Sequence, residues 1–149
     1  MPLDPDIAQE IILDHSRHPR HLGRASRGGL EARGHNPLCG DEVRVSVYLS
    51  EAEPAVILQE AQGCALCRAS ASIMAASQQG KTKADMLAEV EMFCQGLASE
   101  QEQPWSLEEL GDAAALLPVR QNPARVKCVT LAWRTLEAAL RGRDQVTTE

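Results

Sequence analysis

Apolar positions change their spacing several times along the chain, and each change marks an element. From Asp41 to Leu49 they alternate. Val43, Val45, Val47 and Leu49 fall on one side, with Glu42, Arg44, Ser46 and Tyr48 on the other. This pattern predicts a half-buried antiparallel strand facing the core with its valines. Ser50 to Pro54 reads as a turn, and Ala55 to Gln62 as a second strand pairing back. Leu30 to Arg33 predicts a short strand leading into Gly34-His35-Asn36-Pro37.

Helical spacing brackets this hairpin. Asp4-Pro5 combines an N-cap residue with a first-turn proline. Ile7, Ile11, Ile12 and His15 then share a face, until Pro19 ends the run. Small helix-compatible residues follow Cys64 as far as Gln79-Gly80. A further helix spans Thr82 to Leu97, with Met86, Leu87, Val90, Phe93 and Cys94 at intervals of three and four. Ser99 to Pro104 is polar and reads as a loop. Ser106-Leu107-Glu108-Glu109 has the form of a capping box, and Asp112 to Leu117 is a short apolar segment. Asn122-Pro123 opens the last helix, where Val126, Val129, Trp133, Leu136 and Leu140 form a core stripe. The polar tail, 144–149, is expected to fray. Together these elements predict an α+β fold, a small antiparallel sheet with helices packed on it. Residues 1–149 form one domain, without internal repeat or linker.

Composition narrows the function. With 44% hydrophobic and 24% charged residues among 149, the chain suits one globular domain. Aromatic residues are only 3%, so aliphatic side chains must fill the core. The net charge of −6 and the lack of a basic stripe argue against nucleic acid. There is no apolar run long enough to span a membrane, and Met1 to Asp6 has no signal-peptide character. A cytoplasmic location is therefore expected. In that reducing setting, five cysteines read as metal-binding or reactive thiols rather than disulfides.

Three of those cysteines carry the chemistry. Asn36-Pro37-Leu38-Cys39-Gly40-Asp41 sets a thiol and a carboxylate two residues apart, on a Pro/Gly turn before a strand. The hairpin brings its outer ends, Cys39 and Cys64, to one edge of the sheet. Cys64 stands at a helix start, where free N–H groups and the helix dipole favour an anionic ligand atom. Cys128 lies one turn into the last helix. Cys39, Asp41, Cys64 and Cys128 can thus close a tetrahedral shell around a borderline-soft metal. Three thiolates and a carboxylate leave excess negative charge on a divalent ion, which Arg125 and Lys127 are placed to offset. Each residue also has a plainer reading. Cys39 alone could be a buried apolar thiol, and Asp41 a turn residue. Cys64 and Cys67 form a C-x-x-C that suits a redox pair or half a zinc knuckle, but no second half is present. Cys94 reads as core, and His15, His18 and His21 as surface residues. The role of His35 is open.

Taken together, these segments resemble the IscU/NifU-N family of iron–sulfur cluster assembly scaffolds, and more closely its SufU branch. The matching stretches run from Ile11-Ile12-Leu13-Asp14-His15-Ser16-Arg17-His18-Pro19-Arg20 to Thr130-Leu131-Ala132-Trp133. The segment around Trp105 to Val119 looks like the SufU insertion. Lys127 stands where IscU-type scaffolds carry a histidine next to their third cysteine. The resemblance implies a SufE/NifU-like fold with the metal site at one end. It implies Zn²⁺ held by Cys39, Asp41, Cys64 and Cys128, with a [2Fe–2S] cluster or iron as the alternative. The implied function is zinc-dependent sulfur transfer. Cys39 would accept persulfide sulfur from a SufS-type cysteine desulfurase and pass it to a SufBCD-type assembly complex. A histidine of the desulfurase would take a zinc position and release Cys39. On this reading the protein is a partner of the desulfurase rather than a stand-alone enzyme. The rival readings are a scaffold for a labile [2Fe–2S] cluster and a domain whose zinc is structural only. Cys67 departs from the family, which has Ser or another small residue there.

Overall fold

The first helix starts where its N-cap dictates. The Asp4 carboxylate accepts the N–H of Asp6 at 2.8 Å and that of Ile7 at 3.4 Å, and Pro5 takes the first helical position. The computed structural model describes residues 3–24, 28–99 and 107–148. In chain order it contains α1 (Pro5–Arg17), β1 (Leu30–Asn36), β2 (Asp41–Tyr48), β3 (Val56–Gln62), α2 (Ala65–Gln78) and α3 (Lys83–Ala98). There follow α4 (Leu107–Leu110), a succession of 3₁₀ turns over Gly111–Gln121, α5 (Pro123–Leu140) and β4 (Gln145–Thr147). Ser106, Trp105 and most of the expected loop from Ser99 to Pro104 lie outside the described residues.

The strands lie in the order β3-β2-β1-β4. β1–β2 and β2–β3 are antiparallel, as the alternation predicts, but β4 joins β1 in parallel, so the sheet is mixed. The tail expected to fray supplies that strand. Gly142, at φ +73°, turns the chain back after α5. Arg33 N–H then donates to the Asp144 carbonyl at 2.8 Å, and Thr148 N–H to that of His35 at 3.2 Å. Backbone pairing needs no apolar period, so nothing in the side chains of this segment signals it.

Val43, Val45, Val47 and Ile57 are buried on the inner face, under α2 and α5. Each such side chain contributes roughly 1.5–3 kcal/mol of burial. β1 runs past its expected end at Arg33 to Asn36. There Gly34 lets α5 lie directly on the strand, since a β-carbon would collide with Thr135 Oγ1. Leu49, expected inside, lies beyond β2 and is 39% exposed, because the strand ends at Tyr48. Ser46, expected outside, is buried, and its hydroxyl donates to Glu31 Oε2 at 3.4 Å. Residues 20–23 shield the edge of β3. Gln59 N–H donates to the His21 carbonyl, and Gln59 Nε2 to that of Arg20.

His15 corrects the sequence reading most sharply. It is 2% exposed rather than a surface residue. Its Nδ1 lies 2.7 Å from Ser72 Oγ and its Nε2 2.8 Å from Asp112 Oδ2, tying α1 to α2 and to the 3₁₀ segment. His18 and His21 are exposed as expected. Cys94 is core, and burial pushes its thiol up to about 12. Among the described residues no helix is long and apolar enough to cross a membrane.

Candidate metal centre

Asn36 builds the turn that presents Cys39. β1 ends and β2 begins at the paired residues Asn36 and Asp41, leaving four residues to reverse the chain. The Asn36 carbonyl accepts the N–H groups of Cys39 at 3.3 Å and Gly40 at 2.8 Å, and its Oδ1 accepts that of Leu38 at 3.2 Å. Pro37 stiffens the turn, and Gly40 takes φ +73° to close it. Leu38, 72% exposed, and Cys39 are left at an open tip.

Asp41 and Cys64 meet because β2 and β3 pair up to Glu42 and Gln62. Asp41 is fully buried. Its Oδ1 accepts the N–H of Cys64 at 3.0 Å, and its Oδ2 lies 3.8 Å from Cys64 Sγ. Gly63, at φ +137°, makes this approach possible, since a β-carbon there would collide with Asp41 Oδ1. Cys64 is itself the N-cap of α2, and its sulfur accepts the N–H of Cys67 at 3.3 Å.

Cys128 comes from α5, which packs over the same face of the sheet as α2. Asn122 caps α5 by accepting the N–H of Arg125, and the Cys128 sulfur ends 3.5 Å from that of Cys39. Asn36 Nδ2 points at the same sulfur from 4.0 Å. Cys128 is 5% exposed. Burial pushes its thiol well above the ordinary range, and hydrogen bonds with Asp41 and Cys39 and the nearby Cys64 and Asp41 charges push the same way. Each of these influences favours the protonated thiol. A bound cation would reverse that balance.

One donor atom each from Cys39, Asp41 and Cys128 lies within 4.8 Å of the others. Cys64 is outside this mutual cluster and joins it through Asp41. A tetrahedral ion with metal–sulfur bonds of about 2.3 Å holds its sulfurs about 3.8 Å apart. The 3.5 Å between the Cys39 and Cys128 sulfurs is close to that spacing, whereas Cys64, 3.8 Å from Asp41 Oδ2 but outside the mutual cluster, would have to move inward to complete the shell. The set of three sulfurs and one oxygen suits zinc or iron–sulfur chemistry.

Arg125 stands apart. It is exposed on the first turn of α5, and its guanidinium makes no hydrogen bond or ion pair among the described residues. His35 is exposed on β1, opposite Glu42 in the strand register and outside the donor cluster. Cys67 is fully buried in the core, and burial pushes its thiol up strongly. It serves the site through its backbone N–H. Sequence reasoning missed the parts played by Asn36 and Gly63. An asparagine before proline and a glycine before a capping residue were the available signals.

Comparison with known proteins bears on this geometry. Residues 7–143 match the family described as NifU-like N terminal domain. The chain is 36% identical over 132 residues to the iron–sulfur cluster assembly scaffold protein IscU of Streptococcus pyogenes serotype M1, covering 88% of this chain and 80% of that protein. It is 33% identical over 131 residues to the zinc-dependent sulfurtransferase SufU of Bacillus subtilis strain 168, covering 88% and 87%. Among solved structures, it is similar to a putative iron–sulfur cluster assembly scaffold protein for the SUF system from Fervidobacterium islandicum AW-1. That likeness has a TM-score of 0.72 and 32% identity, over 88% of this chain and 94% of that one.

Proposed function

The chain belongs to the NifU-like N-terminal domain family of iron–sulfur cluster assembly proteins, and we propose that within it this protein is a zinc-dependent sulfur acceptor and carrier. The observation that carries the reading is the asymmetry of the donor set. Asp41 and Cys128 are buried and anchored in β2 and α5, whereas Cys39 sits at an exposed turn tip held by local hydrogen bonds. Cys39 can therefore move while Asp41 and Cys128 stay in place.

Cys39, Asp41, Cys64 and Cys128 would hold a zinc ion, which would neutralise the thiolates and supply no redox chemistry of its own. Cys39 then acts as the nucleophile toward a persulfide, R–S–SH. Its thiolate attacks the outer sulfur and a new S–S bond forms at Cys39, as the donor's S–S bond breaks and R–S⁻ leaves. The donor is a SufS-type cysteine desulfurase and the onward acceptor a SufBCD-type complex. Lys127 beside Cys128, in place of the histidine of IscU-type scaffolds, supports a carrier over a cluster scaffold. The 36% identity to a protein named as a scaffold favours the second reading, in which the same cysteines hold a labile [2Fe–2S] cluster.

Transfer of label from radiolabelled cysteine, with a SufS-type desulfurase present, tests the role of Cys39. Cys39→Ser should lose transfer to this chain and stimulation of the desulfurase while keeping a native circular dichroism spectrum. Wild-type transfer in that variant removes Cys39 from the mechanism.

A further inference from the structure

Helices cover one face of the sheet, and the other carries a groove of about 560 Å³, an ordinary size for a binding site. Its charged lining is Arg24, Arg33, His35, Glu42, Arg44 and Glu60, and it reaches Pro37 at the foot of the Cys39 turn. Arg33 and Arg44 face each other directly across β1 and β2. Like charges so placed destabilise a sheet, and the neighbouring carboxylates do little to relieve them. Glu60, opposite Arg44 on β3, accepts Arg24 Nε–H at its Oε1 at 2.7 Å. Arg44 reaches Glu31 only at 3.7 Å. The Arg33 guanidinium makes no ion pair or side-chain hydrogen bond among the described residues. In a chain of net charge −6, two opposed and poorly compensated guanidinium groups are a local exception. Guanidinium forks of this kind match a carboxylate.

β4 indicates what kind of molecule brings that carboxylate. It is the last strand of the sheet, and no described strand pairs with its outer side. Gln145, directly opposite Arg33 in the β1–β4 register, and Thr147 both line the groove. An extended peptide can add to such an edge through its backbone while its side chains reach the groove. We propose that this groove docks an extended segment of a partner protein, with one Asp or Glu carboxylate received by Arg33 and Arg44. Docking there places the partner beside the turn that carries Cys39.

Selection of dodecapeptides from a random display library on the full-length protein tests the proposal, with Arg33→Ser/Arg44→Ser as counter-target. The recovered peptides should carry Asp or Glu, bind the wild type at least about tenfold more tightly than the variant, and shift backbone amide resonances of β1, β2 and β4. The variant should melt no lower than the wild type, because removing the opposed charges relieves repulsion. A second variant, Arg33→Lys/Arg44→Lys, keeps both charges but loses the forks, and should bind with intermediate affinity. Recovery of no peptide sensitive to either variant overturns the proposal. So does displacement by citrate or inorganic phosphate at concentrations equal to the peptide's, which would make the groove a small-anion site.

Discussion

Cys64 and Cys67 stand one helical turn apart on α2, yet they belong to different regions of the molecule. Cys64 caps the helix at the sheet edge, exposed and 3.8 Å from a buried carboxylate. Cys67 points into the aliphatic core and is fully covered. Cys94 shares that interior, in the same core as Phe93 and Trp133, whose ring centroids lie 4.4 Å apart. At the edge, ends of three segments bring polar atoms together and hydrogen bonds aim them. In the interior, shape and burial decide, and a thiol behaves as a small apolar group. Position at an element's end, more than residue type, separates a candidate ligand from packing.

Variants that act on one region and spare the other put this division to the test. The largest effect belongs to the interior. Leu136→Ala, at a fully buried site on α5, should cost about 2–5 kcal/mol by urea unfolding, with zinc stoichiometry unchanged in the protein that remains folded. Loss of zinc from that folded fraction would show that the two regions are not separable.

At the edge, Gly63→Ala should act through Asp41. The added β-carbon meets Asp41 Oδ1, and the backbone stands at φ +137°. Zinc affinity measured by competition with a chromophoric chelator should fall about 10- to 100-fold, beyond any loss of stability. An unchanged affinity would mean that the Asp41 carboxylate contributes nothing to the site.

The smallest effect is one of pH. Burial raises the Cys94 thiol from 9.0 to about 12, so the native state keeps its proton where the unfolded chain loses it. The resulting stability is complete below about pH 9 and is lost as pH rises toward 12. Replacing Cys94 with Ala should make the fall in unfolding free energy between pH 9 and 11 shallower by about 1.4 kcal/mol per pH unit. Parallel profiles for the two proteins would contradict the burial of this thiol.

The regions also differed in how far the sequence revealed them. Alternation at Val43, Val45 and Val47, and the helix starts at Asp4-Pro5 and Asn122-Pro123, are local signals that tertiary structure did not override. The hairpin alone was enough to bring Cys64 to the Asp41 end of the sheet. β4 was hidden because it pairs through its backbone. The burial of His15 was hidden because its partners, Ser72 and Asp112, are 57 and 97 residues away in sequence. Arg125 looked like charge support because of its closeness in sequence to Cys128, but the first turn of α5 leaves it in solvent.

The central claim is that the edge cluster holds zinc for sulfur transfer. Metal and acid-labile sulfide content of the protein purified without oxygen tests it most directly. The account predicts about one zinc per chain and no sulfide, in a colourless protein. Iron and sulfide in matching amounts would contradict it and make the same cysteines the seat of a cluster.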